Sequence, residues 1–199
     1  MYPQNYNNFG GGQEALDMRV SHVMRSVYLK MFLALLVTTA ASFMVGAIPG
    51  LTFFLATHTW VYWGLLIVEL VMVYSIAGGV KRMSSGTATA LFYLYAVLNG
   101  VVFSLIFCAY SFDSIFKTFL ITAGVFGAMS VYGYFTSNDL TKIGSFLYMA
   151  LFGLIICIFV NIFWANSTLD WIISAAGVLI FIGLTAYDTQ KVKEWAQMG

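Results

Sequence analysis

The residue in this chain best placed to do chemistry is an aspartate at the end of its last long apolar run. Asp188 stands in Gly183-Leu184-Thr185-Ala186-Tyr187-Asp188-Thr189-Gln190, directly after the run from Trp171 to Ile182. An ionisable side chain in a membrane span is expensive, faces protein or water rather than lipid, and marks an ion or proton path. A carboxylate there can hold a proton, pair with a cation, or offer oxygen to a hard divalent ion such as calcium. Few other polar residues interrupt the apolar runs. Glu69 lies in Leu65-Leu66-Ile67-Val68-Glu69-Leu70, Asn99 precedes Gly100, Asn161 lies late in the fifth run, and Arg82 closes the second.

Depth sorts these groups. Glu69 precedes Arg82 by 13 residues, about 20 Å along a helix at 1.5 Å per residue. Arg82 and Asp188 end spans that run in the same direction, so they share a depth and can form an ion pair; Glu69 cannot join them. Each residue also has a plainer reading. Arg82 can snorkel to headgroups, Asp188 can reach water beside Lys191 and Lys193, and Glu69 can hydrogen-bond between helices. Asn99 and Asn161 fit interhelical contacts better than ligand binding.

Enzyme chemistry finds little support. An intramembrane aspartyl protease needs a second aspartate to share a proton, and no Gly-x-Gly-Asp setting occurs. A zinc site needs several converging ligands, whereas the two histidines, His22 and His58, lie far apart. No Gly-x-Ser-x-Gly elbow is present. We expect no enzyme, no cofactor and no resident metal beyond weak, transient binding of a hard divalent cation at Asp188.

The elements that position these residues are membrane helices. The chain is 61% hydrophobic and 9% charged, with mean hydropathy +0.87. Soluble domains carry about 25% charge, so the solvent here is lipid. A net charge of +1 leaves no basic patch for nucleic acid. Cys108 and Cys157 sit inside apolar runs and read as small hydrophobes rather than a disulfide. The expected fold is an all-α polytopic bundle, with spans near 29–48, 60–80, 87–109, 118–136, 144–165 and 171–190. Residues 1–24 read as a mobile polar tail and 25–199 as one integral membrane domain. Short connections, including 49–59 and 166–170, imply antiparallel neighbours. In the fourth span, Gly124 with Ala128 and Ala123 with Gly127 form small-xxx-small pairs suited to close packing.

Basic residues orient the bundle. Arg19, Arg25, Lys30, Lys81, Arg82, Lys142, Lys191 and Lys193 fall on one side and Lys117 alone on the other. Such a bias places the N-terminus in the cytoplasm. Trp60, Trp63, Trp164 and Trp171 then mark the outer interface and Trp195 the inner one, as an aromatic belt requires.

At this point the chain resembles a known family. Thr122-Ala123-Gly124-Val125-Phe126-Gly127-Ala128-Met129-Ser130-Val131-Tyr132-Gly133-Tyr134 and the later Asp139-Leu140-Thr141-Lys142-Ile143-Gly144-Ser145-Phe146-Leu147 are similar to the Bax inhibitor (transmembrane Bax-inhibitor-motif) family, its bacterial branch in particular. Asn99-Gly100, Asn161-Ile162-Phe163 and the Asp188 motif agree, and the likeness covers roughly 25–193. The resemblance implies six helices ringed around a central seventh and a passive, pH-sensitive calcium leak. It implies that Asp188 pairs with an aspartate on the seventh helix and that Arg82 latches the pair when closed. Only Glu194 to Gly199 follow Lys193, so the seventh helix and its aspartate are expected in a longer gene product.

The resulting expectation is a calcium-permeable leak channel in a bacterial cytoplasmic membrane, gated near the cytoplasmic face. Asp188 and Arg82 would serve as gate and pH sensor, with Glu69 and Asn99 along the ion path. Its partners would be the lipid bilayer and calcium ions, and possible contacts with other membrane proteins define the alternative. In that alternative the chain is a membrane-embedded regulator of stress or proteolysis that transports nothing.

Overall fold

The computed structural model describes residues 8–79 and 82–198. Among the described residues seven helices follow one another: α1 (Asn8–Gly46), α2 (Pro49–Thr57), α3 (Thr59–Gly79), α4 (Ser85–Ala109), α5 (Phe112–Phe135), α6 (Thr141–Trp164) and α7 (Ser167–Met198). All but α2 are long and apolar enough to cross a membrane. The all-helical, six-span expectation therefore holds. Val80 and Lys81, at the expected end of the second span, lie outside the described residues.

Two segments differ from expectation. The tail expected over 1–24 is helical from Asn8 onward; residues 1–7 lie outside the described residues. At 39 residues, α1 runs about 58 Å, nearly twice a hydrocarbon core of about 30 Å. Val20 and Met24 are buried and Leu16 half-buried. Their i, i+4, i+8 spacing gives even this polar stretch one apolar stripe. The second difference is α2, which occupies most of the expected connection at 49–59. Pro49 starts it where a missing N–H costs nothing, and the His58 N–H closes it on the Phe54 carbonyl at 2.9 Å.

The chain forms two compact units, Arg25–Thr118 and Met1–Met24 with Phe119–Gly199. In the first, α2 packs on α3 and α4, and α3 packs on α4. The Thr38 hydroxyl donates to the Ala96 carbonyl at 2.8 Å. Gly100 permits that approach of α1 and α4, since a Cβ there would stand 2.5 Å from the Ala41 Cβ and 2.6 Å from the Thr38 carbonyl. The Ser84 hydroxyl caps α4 by accepting from the Thr87 N–H at 3.1 Å.

In the second unit, α6 and α7 form an antiparallel hairpin. Only a two-residue turn separates them, with Ala165 left-handed at φ 47°. The close contacts of α5 lie at its last turns. A Cβ on Gly133 would overlap the Ala186 carbonyl of α7. The packing expected at Gly124 and Gly127 is not found there; both face open space. Small residues permit close approach but do not supply the partner.

Candidate functional site

The Asp188 motif occupies α7 where α5 ends and α6 begins. The Tyr148 hydroxyl, from α6, donates to Asp188 Oδ1 at 3.2 Å. Tyr148 and Tyr187 meet edge to face with ring centroids 6.0 Å apart. Tyr187 lies on Gly144, where a Cβ would overlap its ring. A bare α6 backbone at Gly144 thus seats Tyr187 and sets Asp188 beside Tyr148. Asp188 itself is exposed on its other side, while Thr189 and Gln190 in the same turn are buried.

The next residues hold the α5–α6 connection. Gln190 is 8% exposed; its Nε2 donates to the Asn138 carbonyl at 2.8 Å and its Oε1 accepts from the Leu140 N–H at 3.0 Å. Lys193 Nζ donates to the Tyr134 carbonyl at 2.7 Å and stands 4.8 Å from the centre of that ring. A cation on a carbonyl in the last turn of α5 satisfies a group the helix leaves open and opposes the dipole's negative end. Asp139 Oδ1 accepts from the Thr141 N–H at 2.9 Å and so caps α6. The side-chain and backbone hydrogen bonds from Thr141 hold the Asp139 carboxyl below the usual carboxylate range, with Lys191 and Lys142 adding to the effect.

The family model described as "Inhibitor of apoptosis-promoting Bax1" matches residues 20–199. The chain belongs to the Bax inhibitor family. Among its relatives is the inner membrane protein YbhL of Escherichia coli K12, 39% identical over 174 residues, which are 87% of this chain and 74% of YbhL. A protein of Borreliella burgdorferi is 41% identical over 175 residues, 88% of this chain and 75% of its own length. A membrane protein of Streptococcus pyogenes is 36% identical over 139 residues, 70% of this chain. This Bax inhibitor family member is an integral membrane protein, as its six apolar helices require.

The other expected site residues lie elsewhere. Arg82 is exposed in the turn after α3, its N–H bonded to the Gly79 carbonyl at 2.8 Å, and belongs to the other unit from Asp188. Glu69 is half-buried on α3, and its Oε1 is shielded from solvent without a hydrogen-bond partner among the described residues. Asn99 spends its Nδ2 on the Tyr95 carbonyl of its own helix at 3.0 Å, which suits a structural residue. Among the described residues, no three or more His, Cys, Asp or Glu converge as metal ligands. Cys157 is a free thiol; the Cys108 side chain lies outside the described residues.

Asn161 joins α6 to α7 across the turn between them. Its Nδ2 donates to the Asp170 carboxylate and its Oδ1 accepts from the Asn166 N–H at 3.0 Å. Asn166 Oδ1 in turn accepts from the Thr168 and Leu169 N–H groups at 2.9 and 3.0 Å, opening α7. Sequence reading missed Gln190, Lys193, Tyr148 and Tyr187 as a set. No sequence signal was available, because Gln190 and the connection at 136–139 lie about 50 residues apart and nothing in the sequence pairs them.

Proposed function

We propose that this family member is a pH-sensitive, calcium-permeable leak channel, with Asp188 as the titrating gate and Arg82 as its latch. The observation that carries the reading is the setting of Asp188. Its carboxylate is held by the Tyr148 hydroxyl on one side and left open on the other, in a turn whose neighbours are buried. An anionic carboxylate attracts a hard divalent cation, yet tight calcium sites use six to eight oxygens. A site this sparse suits passage better than storage. Protonating Asp188 removes the charge that an Arg82 latch would need, and so shifts the open population. That both residues close apolar runs which the sequence reads as crossing in the same direction supports the latch. The Glu69 Oε1, shielded from solvent and without a hydrogen-bond partner among the described residues, supports Glu69 as a pathway residue.

The bias of basic residues, eight against one, supports a cytoplasmic N-terminus. The naming of YbhL as an inner membrane protein supports a bacterial cytoplasmic membrane. The second reading, a regulator that binds another membrane protein, draws on the open small-residue face at Gly124 and Gly127. Calcium entry into dye-loaded proteoliposomes between about pH 5 and 8 tests the channel, with Asp188→Asn and Arg82→Ala alongside. Flux that varies with pH in the parent and loses that variation in Asp188→Asn is expected. Flux no greater than in empty liposomes, from protein shown to be inserted, would overturn the channel and leave the regulator.

A further inference from the structure

We infer that α2 is a membrane-surface anchor, lying in the boundary between headgroups and acyl chains of the leaflet where α1 ends and α3 begins. The polarity of this helix is reversed relative to a water-facing loop. Thr52 and Leu55 are its buried residues, turned toward α3 and α4. Thr52 needs no outside partner, because its hydroxyl donates to the Pro49 carbonyl at 3.0 Å. The outward residues are large and apolar. Phe53 is 70% exposed, Phe54 42% and Leu51 38%, and Trp60 just beyond is 73% exposed. No residue between Lys30 and His58 carries charge. Water is a poor medium for such a face, since patches of this kind mark interaction surfaces.

Geometry fixes the depth. The 21 residues of α3 span about 32 Å, close to the hydrocarbon thickness of about 30 Å. Its first residues therefore sit at the interface, and α2 precedes α3 by the single residue His58. The helix cannot sink further, and it cannot leave, because both ends are tied. The His58 ring stacks on Phe54 with centroids 4.3 Å apart, and its Nδ1 lies 3.0 Å from the Phe54 carbonyl. The exposed face is continuous with a lipid-facing stripe on α3, where Trp60, Trp63, Ile67 and Tyr74 recur at helical spacing and all stand exposed. That continuity makes lipid the occupant. Aromatic rings with a polar edge favour this zone.

The full chain in phosphatidylcholine vesicles tests the assignment. Replacing Trp63, Trp164, Trp171 and Trp195 with Phe leaves Trp60 as the sole tryptophan. Lipid brominated high on the acyl chain should then quench its emission about twofold more than lipid brominated near the chain end, with little quenching by aqueous iodide, as an interfacial depth requires. A second variant avoids the tryptophan changes: Phe53→Cys, with Cys108→Ala and Cys157→Ala, carrying a nitroxide. Its label should collide more with oxygen than with a water-soluble nickel chelate. Free access of iodide and nickel would make α2 a water-facing loop. Protection from lipid, iodide and nickel alike would mean a protein covers it. Either result overturns the proposal.

Discussion

Removing the Gln190 side-chain amide should detach the α5–α6 connection from α7. In Gln190→Leu the volume is nearly kept while two hydrogen bonds, to the Asn138 carbonyl and from the Leu140 N–H, are lost. Leu140 is buried, so its N–H has no water to turn to and costs about 1–3 kcal/mol. Asn138 is exposed, so its carbonyl can rehydrate, and only the net worth of that bond is lost, about 0.5–1.5 kcal/mol. The expected destabilisation is about 1.5–4.5 kcal/mol in total. Gln190→Glu keeps the acceptor for Leu140 but loses the donor to Asn138, and so separates the two contributions. Reversible unfolding in mixed micelles of a mild detergent and dodecyl sulfate, followed by tryptophan fluorescence, reads the difference. A Gln190→Leu variant within about 0.5 kcal/mol of the parent, the scatter of ordinary surface changes, would show that this glutamine does not hold the connection.

Other outcomes follow from the same structure. Gly133→Ala should cost about 1–3 kcal/mol by overpacking, because its methyl meets the Ala186 backbone; Gly127→Ala, facing open space, should be near neutral in the same unfolding assay. Asn161→Ala leaves the Asn166 N–H and the Asp170 carboxylate without their partner and should cost about 1–3 kcal/mol. Asp139 has a folded pKa below its ordinary value, so its cap contributes fully above the ordinary carboxylate range and is lost as pH falls through the lowered value. The stability gap between the parent and Asp139→Ala should therefore be constant from about pH 5 to 8 and close only in stronger acid. A gap that changes within that window would place a neutral-range titration at Asp139.

The long spans were legible because runs of about 20 apolar residues admit few other readings. Their ends were legible because Trp and Lys mark interfaces. What escaped was shorter or relational. The nine residues of α2 are too few to read as a span, and their apolar character blended into the connection. The helical start of α1 hid behind Asn, Gly and charge, although Leu16, Val20 and Met24 already carried the period. At the candidate site, Asp188 was found because a charge in an apolar run is conspicuous. Gln190 and Lys193 were not, because their partners are backbone carbonyls and an N–H roughly 50 to 60 residues away, and backbone groups have no signature in the sequence. Asn161 was read as glue between helices, and its bond to Asp170 does join α6 to α7, beside a second bond to the turn between them.

The bonds that close the α6–α7 turn join only residues 161 to 170, so they can form as soon as that stretch has left the ribosome and entered lipid. Loop closure this short costs little entropy. Contacts this local form fast. The hairpin is therefore suited to assemble as a prefabricated pair. The order of events would then run backward along the chain, with α7 first clasped by α6 and only afterwards collecting the end of α5 through Gln190 and Lys193. A lesion at Asn161 would in that case show itself in biogenesis, as fewer chains reaching the finished fold, in addition to the lower stability of those that do.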